Sequence, residues 1–256
     1  MIDPTARVHP DARLAPDVEV GPYAVIGPQV QIGAGSVIGP HVVITGDTRI
    51  GRNNRIFQFA SIGEIPQDKK YRAGDESRLE IGDGNTIREF CTINTGTAGG
   101  GGLTRLGDDN WLMAYVHIAH DCRVGSHTIF ANSSSLAGHV IVEDYVILGG
   151  FSLVHQFCML GAHSFLAVSS VVLKDVPPFV MAEGNSARPR GINTEGLRRR
   201  GFTGDEIAAI RNAYKALYRS GLRLNEALAV LDREGDCSHV ADMAAFVRRS
   251  QRGIIR

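Results

Sequence analysis

The sequence predicts a mainly β protein, a parallel β-solenoid of hexapeptide repeats followed by a C-terminal α-helical domain. Three observations predict it. An aliphatic residue recurs at every sixth position, a small or β-branched residue recurs four places after it, and the period turns helical from about Asn193. Stepping by six from Ile2, the chain presents Val8, Leu14, Val20, Ile26, Ile32, Ile38, Ile44, Ile50, Ile56 and Ile62 without a break. The frame resumes at Ile81, Ile87 and Ile93, and again from Leu106 through Leu112, Ile118, Val124 and Phe130 to Val172. The small companions include Ala12, Ala24, Ser36, Thr48, Ala60, Cys91, Cys122 and Ser134, and glycine often follows the aliphatic residue directly, as at Gly33, Gly39, Gly51 and Gly125.

An α-helix cannot use this period, because six steps of about 100° scatter the aliphatics around the cylinder. A solenoid can. Each hexad makes a short strand and a turn, about three hexads (roughly 18 residues) close a triangular coil, and coils stack at about 4.8 Å. The aliphatic residue points inward, and glycine is expected to allow the bend. Residues 63–80 and 94–105 leave the frame and are expected as loops thrown out of the prism wall, so the β part spans 1–192 and the helical domain 193–256. The run Gly99 to Gly102 is followed by neither GK[ST] nor a helix, which argues against a phosphate loop. Pro177, Pro178 and Pro189 punctuate the exit. In the tail, Thr203 and Glu206 form a capping box, Ile207, Ile210, Tyr214 and Leu217 make a buried stripe, Ser220-Gly221 ends that helix, and Asn225 and Ser238 start two more.

Composition excludes several function classes. The 256 residues carry 27 Lys plus Arg against 27 Asp plus Glu, a formal charge of zero. That balance argues against a dedicated nucleic-acid binder. Hydrophobic residues at 43% and charged residues at 21% exclude a disordered chain. No run approaches the roughly 18 apolar residues of a membrane span. The start MIDPTARVHP lacks the pattern of a signal peptide, and a cytoplasmic location is expected. Cys91, Cys122, Cys158 and Cys237 form no CxxC pair and are expected as small buried side chains. The tail holds 12 Lys/Arg against 8 Asp/Glu, with Arg211, Lys215 and Arg219 on one helical face.

Residues that violate a repeat are the informative ones, and the densest cluster is Tyr115 to Cys122. His117 and His120 fall on outward or corner positions. Eighteen residues after His120 comes Gly138, and eighteen more reach Gln156, so these should stack on one wall with His139 and His155 beside them. Three readings compete. His120 could be a general base oriented by Asp121, with the Gly138 amide holding an oxyanion, machinery suited to acyl transfer to a hydroxyl. Alternatively His117, His120 and His139 or His155 hold a zinc ion, as in a metal hydratase. In the third reading the histidines decorate a structural scaffold.

The hexads, HIAHDC (His117 to Cys122), LAGHV (Leu136 to Val140), VHQF (Val154 to Phe157), DVPP (Asp175 to Pro178) and NTEGLRRRGF (Asn193 to Phe202) resemble the acyl-carrier-protein-dependent UDP-N-acetylglucosamine O-acyltransferases of lipid A biosynthesis. The resemblance runs from Ile2 to Arg256. It implies a left-handed parallel β-helix, an exception to the right-handed crossover rule, and a cytoplasmic homotrimer with sites between neighbouring prisms. It also implies transfer of an (R)-3-hydroxyacyl group from acyl carrier protein to the 3-hydroxyl of UDP-N-acetylglucosamine, with no metal or other cofactor. By the same resemblance His120 is the base, Asp121 its orienting partner and Gly138 the oxyanion donor. Asp68 and Lys70 contact the sugar; His117, His139, His155 and Gln156 face substrate; Asn193, Glu195, Arg199 and Arg200 lie near the nucleotide and diphosphate. The basic tail would meet the acidic carrier protein. Two positions depart from the family pattern. Asn94 stands where relatives commonly carry histidine, which keeps open transfer to the 3-amino analogue of the sugar. Val168 stands where a glycine accompanies the longest acyl chains, so chains of about ten to twelve carbons are expected. A sibling N-acyltransferase has an extra N-terminal domain, whereas here the hexads begin at residue two.

Overall fold

A computed structural model of the chain describes residues 1–72, 74–233 and 237–256. The six-residue period becomes a three-walled prism of parallel strands, most of them two residues long. Residues 18 apart pair in register, Arg7 with Val25, Val25 with Val43, His117 with Ser135 and Ser135 with Leu153. The walls hold nine, eight and ten strands. The first wall contains Val25–Ile26, His117–Ile118 and Ser135–Leu136; the second contains Arg13–Leu14 and Arg123–Val124; the third contains Glu19–Val20, Ile147–Leu148 and Phe165–Leu166. The third wall closes with Val180–Glu183 and an antiparallel partner, Arg188–Ile192, which the repeat does not predict.

The second residue of each short strand is the frame aliphatic, and it faces inward. Ile26, Ile44, Ile93, Ile118 and Leu136 are buried, each contributing roughly 1.5–3 kcal/mol against the entropy of ordering the chain. Val8 and Leu14 are only half-buried and Ile2 is exposed, because no coil lies beyond the first.

Glycine makes only some of the bends, as at Gly35 and Gly84 with φ of 71° and 70°. Tyr23, His41, Phe59, Phe90 and Tyr115 hold φ between 57° and 65° at one corner, and their rings stack at 4.9–5.2 Å. Glycine after the aliphatic residue serves coil stacking instead. A Cβ at Gly33 would lie 2.6 Å from the Gly51 carbonyl oxygen, and one at Gly149 would lie 2.7 Å from that of Leu166.

The two loops are shorter than the sequence suggests. Strands Ser61–Glu64 and Arg78–Ile81 bracket the first, and Thr92–Asn94 and Leu103–Leu106 bracket the second. Arg78–Ile81 pairs residue for residue with both Asp47–Ile50 and Leu103–Leu106, and buried Leu79 adds an anchor outside the hexad frame. Ala73, inside the first loop, lies outside the described residues. Both loops leave the corner where the first wall turns into the second.

Among the described residues four helices follow: α1 (Thr194–Arg199), α2 (Gly204–Tyr218), α3 (Leu224–Arg233) and α4 (Ser238–Arg249). The capping box opens α2, and Ile207, Ile210, Tyr214 and Leu217 are its buried stripe. Tyr214 and Ile255 join the prism core. Buried Asp175 accepts hydrogen bonds from the Met159 N–H (2.8 Å) and the Ser250 hydroxyl (2.6 Å), tying the tail to the last coil. Cys91, Cys122 and Cys158 are buried, but Cys237, at the start of α4, is only half-buried. Among the described residues no helix is long and apolar enough to cross a membrane.

Candidate active site

Stacking puts one residue from each successive coil into a column at the corner between the first and second walls. His120 follows strand His117–Ile118, and Gly138 occupies the same turn one coil on. A Cβ built on Gly138 would fall 2.4 Å from Cε1 and 2.6 Å from Nε2 of His120, so only glycine leaves room for the ring. The backbone locks this contact: the His139 N–H donates to the His120 carbonyl at 3.0 Å, and the Phe157 N–H to that of Gly138 at 3.2 Å. The Gly138 N–H has no acceptor among the described residues.

Asp121 holds φ at 60°, which turns its carboxylate back toward its neighbour. His120 Nδ1 lies 2.8 Å from Asp121 Oδ2. The Asp121 side chain is 1% exposed and is fastened by the second loop. The Thr97 N–H donates to Oδ1 at 3.0 Å, the Thr97 hydroxyl donates to Oδ2 at 2.6 Å, and the Asp121 N–H donates to Thr104 Oγ1 at 2.8 Å. A carboxylate can only accept, so His120 donates from Nδ1, and in the neutral ring that leaves the lone pair on Nε2, the nitrogen beside Gly138.

The other histidines surround this pair. His139 stacks on Phe157 at 4.5 Å and meets His120 edge-on at 5.1 Å. Burial holds its pKa below the ordinary value; Asp121 opposes the shift, the His120 ring adds to it, and Asp68 opposes it. Asp68 in the first loop therefore acts on this corner, while its Oδ1 accepts the Lys70 N–H at 2.9 Å and the Lys70 side chain is exposed. His117 Nδ1 lies 2.7 Å from Thr92 Oγ1, and burial followed by the His120 charge lowers its pKa. His155 is exposed with Nδ1 3.1 Å from the Gln156 carbonyl. Buried Asn94 donates from Nδ2 to the carbonyls of Glu64 and Ile65, at 3.3 and 2.9 Å, and so holds the root of the first loop; its Oδ1 has no partner among the described residues.

Not every expected residue gathers here. Asn193, Glu195, Arg199 and Arg200 lie at the corner between the second and third walls. Asn193 caps α1, accepting the Gly196 N–H at 3.1 Å and donating to the His163 carbonyl at 3.0 Å. Glu195 and Arg199 form an exposed ion pair at 3.1 Å. The Arg200 guanidinium lies 4.9 Å above the Tyr145 ring with Nη1 unpartnered. Val168, 68% exposed, sits in the turn at the far edge of the first wall. A cavity of about 860 Å³ runs along the second wall past Arg49, Arg105 and Arg123 and includes none of these histidines.

The ligand set of the alternative zinc reading is not brought together among the described residues. Ligand-type atoms of His120, Asp121 and His139 lie within 4.8 Å of one another, but His117 and His155 stand outside that group. His117 turns Nδ1 to Thr92, and the Asp121 carboxylate already accepts from Thr97 twice and from His120. A cation there would displace those donors. Thr97, Thr104, Gly96 and Gly100 are the residues that sequence reasoning missed. The glycine run was their only signal, since small residues permit close approach to Asp121.

Known proteins resemble this chain in sequence and in fold. A family model described as Udp N-acetylglucosamine O-acyltransferase, Domain 2, matches residues 175–255, and a bacterial transferase hexapeptide model matches residues 11–46 and 104–138. The chain is 59% identical over 256 residues to the acyl-[acyl-carrier-protein]--UDP-N-acetylglucosamine O-acyltransferase of Thiobacillus denitrificans, covering 100% of this chain and 99% of that one. It is 57% identical over 258 residues to the protein of the same name from Halorhodospira halophila, with the same coverage. The UDP-N-acetylglucosamine acyltransferase structure from Francisella novicida superposes with a TM-score of 0.98 at 46% identity, covering 100% and 94% of the two chains. That of the UDP-N-acetylglucosamine O-acyltransferase from Moraxella catarrhalis gives 0.96 at 46% identity, covering 100% and 99%. The prism is a left-handed parallel β-helix. The chain belongs to the acyl-[acyl-carrier-protein]--UDP-N-acetylglucosamine O-acyltransferase family.

Proposed function

We propose that this chain transfers an (R)-3-hydroxyacyl group from the thioester of acyl carrier protein to the 3-hydroxyl of UDP-N-acetylglucosamine, the first step of lipid A biosynthesis. One observation carries the reading: a His120 ring fixed by Asp121 at Nδ1 lies against Gly138, whose N–H is unclaimed. His120 Nε2 takes the hydroxyl proton as the sugar oxygen bonds to the thioester carbon, a contribution of about 10²–10⁴ in rate. The tetrahedral oxyanion accepts from the Gly138 N–H, worth roughly 3–4 kcal/mol. Collapse expels the carrier thiolate, which recovers the proton from the imidazolium.

Asp68, Lys70, His117, His139, His155 and Gln156 line the substrate path on the same chain. Asn193, Glu195, Arg199 and Arg200 lie at another corner, so they serve the site of a neighbouring copy in a homotrimer. There paired guanidinium N–H groups suit a diphosphate. The compartment is the cytoplasm. Asn94 motivates a second acceptor, the 3-amino analogue, with an amide as product.

The test is a mass-spectrometric assay with carrier-linked hydroxyacyl donors of graded length and both sugar nucleotides. An acylated UDP-N-acetylglucosamine that disappears with His120→Ala is expected. No product from any donor, or full activity in His120→Ala, overturns the reading.

A further inference from the structure

We infer that the second loop is the positioning device for the catalytic dyad, with Thr97 as its fastening residue and Gly100 as the gap that admits the Asp121 carboxylate. The inference rests on the acyl-transfer reading and assigns roles that the dyad alone does not explain. Thr97 reaches Asp121 twice, from its N–H to Oδ1 (3.0 Å) and from its hydroxyl to Oδ2 (2.6 Å). The direction of the hydroxyl is itself set. Thr97 Oγ1 accepts the Gly100 N–H at 3.1 Å, as the cap of the short helical turn Ala98–Gly100, which leaves its proton for Asp121.

The glycines show how close the loop must come. A Cβ on Gly100 would lie 2.3 Å from both Cγ and Oδ2 of Asp121, and one on Gly96 would lie 2.9 Å from Oδ1. A Cβ on Gly99, one residue away, would meet nothing within 4 Å. The run of glycines is therefore not uniform: Gly100 faces the carboxylate and Gly99 does not. Asp121 in turn dictates which His120 nitrogen carries the proton. Thr97 touches neither substrate nor reacting atom on this account. It acts through Asp121, by holding the acceptor for Nδ1–H in one place.

The test measures kcat and KM of the purified enzyme with the sugar nucleotide and the acylated carrier. Losing a hydrogen bond to a charged group predicts that Thr97→Val lowers kcat by about 10- to 100-fold, with both KM values within about twofold. Thr97→Ser, which keeps the hydroxyl, restores kcat to within about threefold. Gly100→Ala behaves like Thr97→Val, whereas Gly99→Ala matches the parent. In an Asp121→Asn background Thr97→Val costs less than about twofold more, because the two act as one unit. Multiplying losses in that background, parental kcat in Thr97→Val, or equal damage from Gly99→Ala and Gly100→Ala each overturns the inference. Should Thr97→Val fail to fold, the two glycine variants decide. An inactive parent or an active His120→Ala sinks the functional reading itself; an active parent with a dead His120→Ala and indifferent Thr97 and Gly100 variants sinks only the role of the loop.

Discussion

Gly138→Ala tests the core of the site without removing any catalytic group. The backbone N–H survives the substitution, and so do His120 and Asp121. What changes is space: the new methyl would sit 2.4 Å from His120 Cε1 and 2.6 Å from Nε2. Carbon contacts settle near 3.5 Å, so the ring must retreat by about 1 Å, and a misplacement of that size costs on the order of 10²-fold. The imidazole is partly exposed and can swing outward, so folding stability should change little. Gly150 is the control, at the corresponding turn position of another corner, where a Cβ meets only the Asn132 carbonyl oxygen at an ordinary 3.4 Å. Gly150→Ala should leave kcat intact and stabilise by up to about 0.4–1 kcal/mol through the unfolded state. Steady-state kinetics by mass spectrometry and thermal melts of both variants make the comparison. A Gly138→Ala enzyme within threefold of the parent in kcat, at unchanged melting temperature, would refute the idea that the ring works in contact with this amide.

Val168→Gly should extend the preferred acyl chain from about ten to twelve carbons toward fourteen, because removing an exposed branched side chain at the edge of the first wall would leave room for further methylenes; an unchanged donor profile counts against it. Arg211 and Lys215 on α2 and Arg219 at its C-cap are exposed, and reversing all three charges should raise the apparent KM for the acylated carrier while leaving that for the sugar nucleotide unchanged. His163 stacks on Tyr145 and Phe179, and burial lowers its pKa to about 4, helped by Arg200 and His239 and opposed by Asp144. An imidazole kept neutral in the fold but free to protonate when unfolded contributes stability above its ordinary value near 6.5, and that stability is lost as pH falls from there toward about 4. Melting temperature should drop across that window, and His163→Phe should flatten the drop.

The parts of this molecule that repeat were legible in its sequence. Burial of one aliphatic per hexad leaves a period that survives in the chain, and a column of residues 18 apart follows from it, which is why His120, Gly138 and His139 could be grouped before any coordinates. The corners are less legible. Left-handed φ at Tyr23, His41 and Phe59 is sustained by ring stacking between coils rather than by freedom from a side chain, and no local composition announces that. The loop contacts were invisible for a different reason. Thr97 meets Asp121 across 24 residues with no period to extend, so only the folded chain brings them together. The same holds for Asn193 to Arg200, whose motif is plain in the sequence but whose corner is set by the unpredicted hairpin Val180–Ile192 that precedes them.

A solenoid builds the same corner in every coil, so its chemistry cannot come from the backbone alone. Asp121, His139 and Phe157 occupy one conformational slot in three successive coils, with φ of 60°, 61° and 65°. The slot is the same in each coil; the choice of acid, imidazole and phenyl puts a carboxylate against His120 at one level and a stacked pair of rings at the next two. Even so, three stacked side chains would face water on the outside of a prism. The insertions change that. Ile62 pairs with Ile93 and Ile93 with Ile118, so the aliphatic pairs stay aligned and the register shifts only beyond them, where Glu64 meets Asn94. They leave from the corner that holds the dyad, and one of them buries its carboxylate. Stability is thus written in the periodic residues and reactivity in the aperiodic ones, so the loop can change the acid–base pair while the aliphatic frame stays as it is.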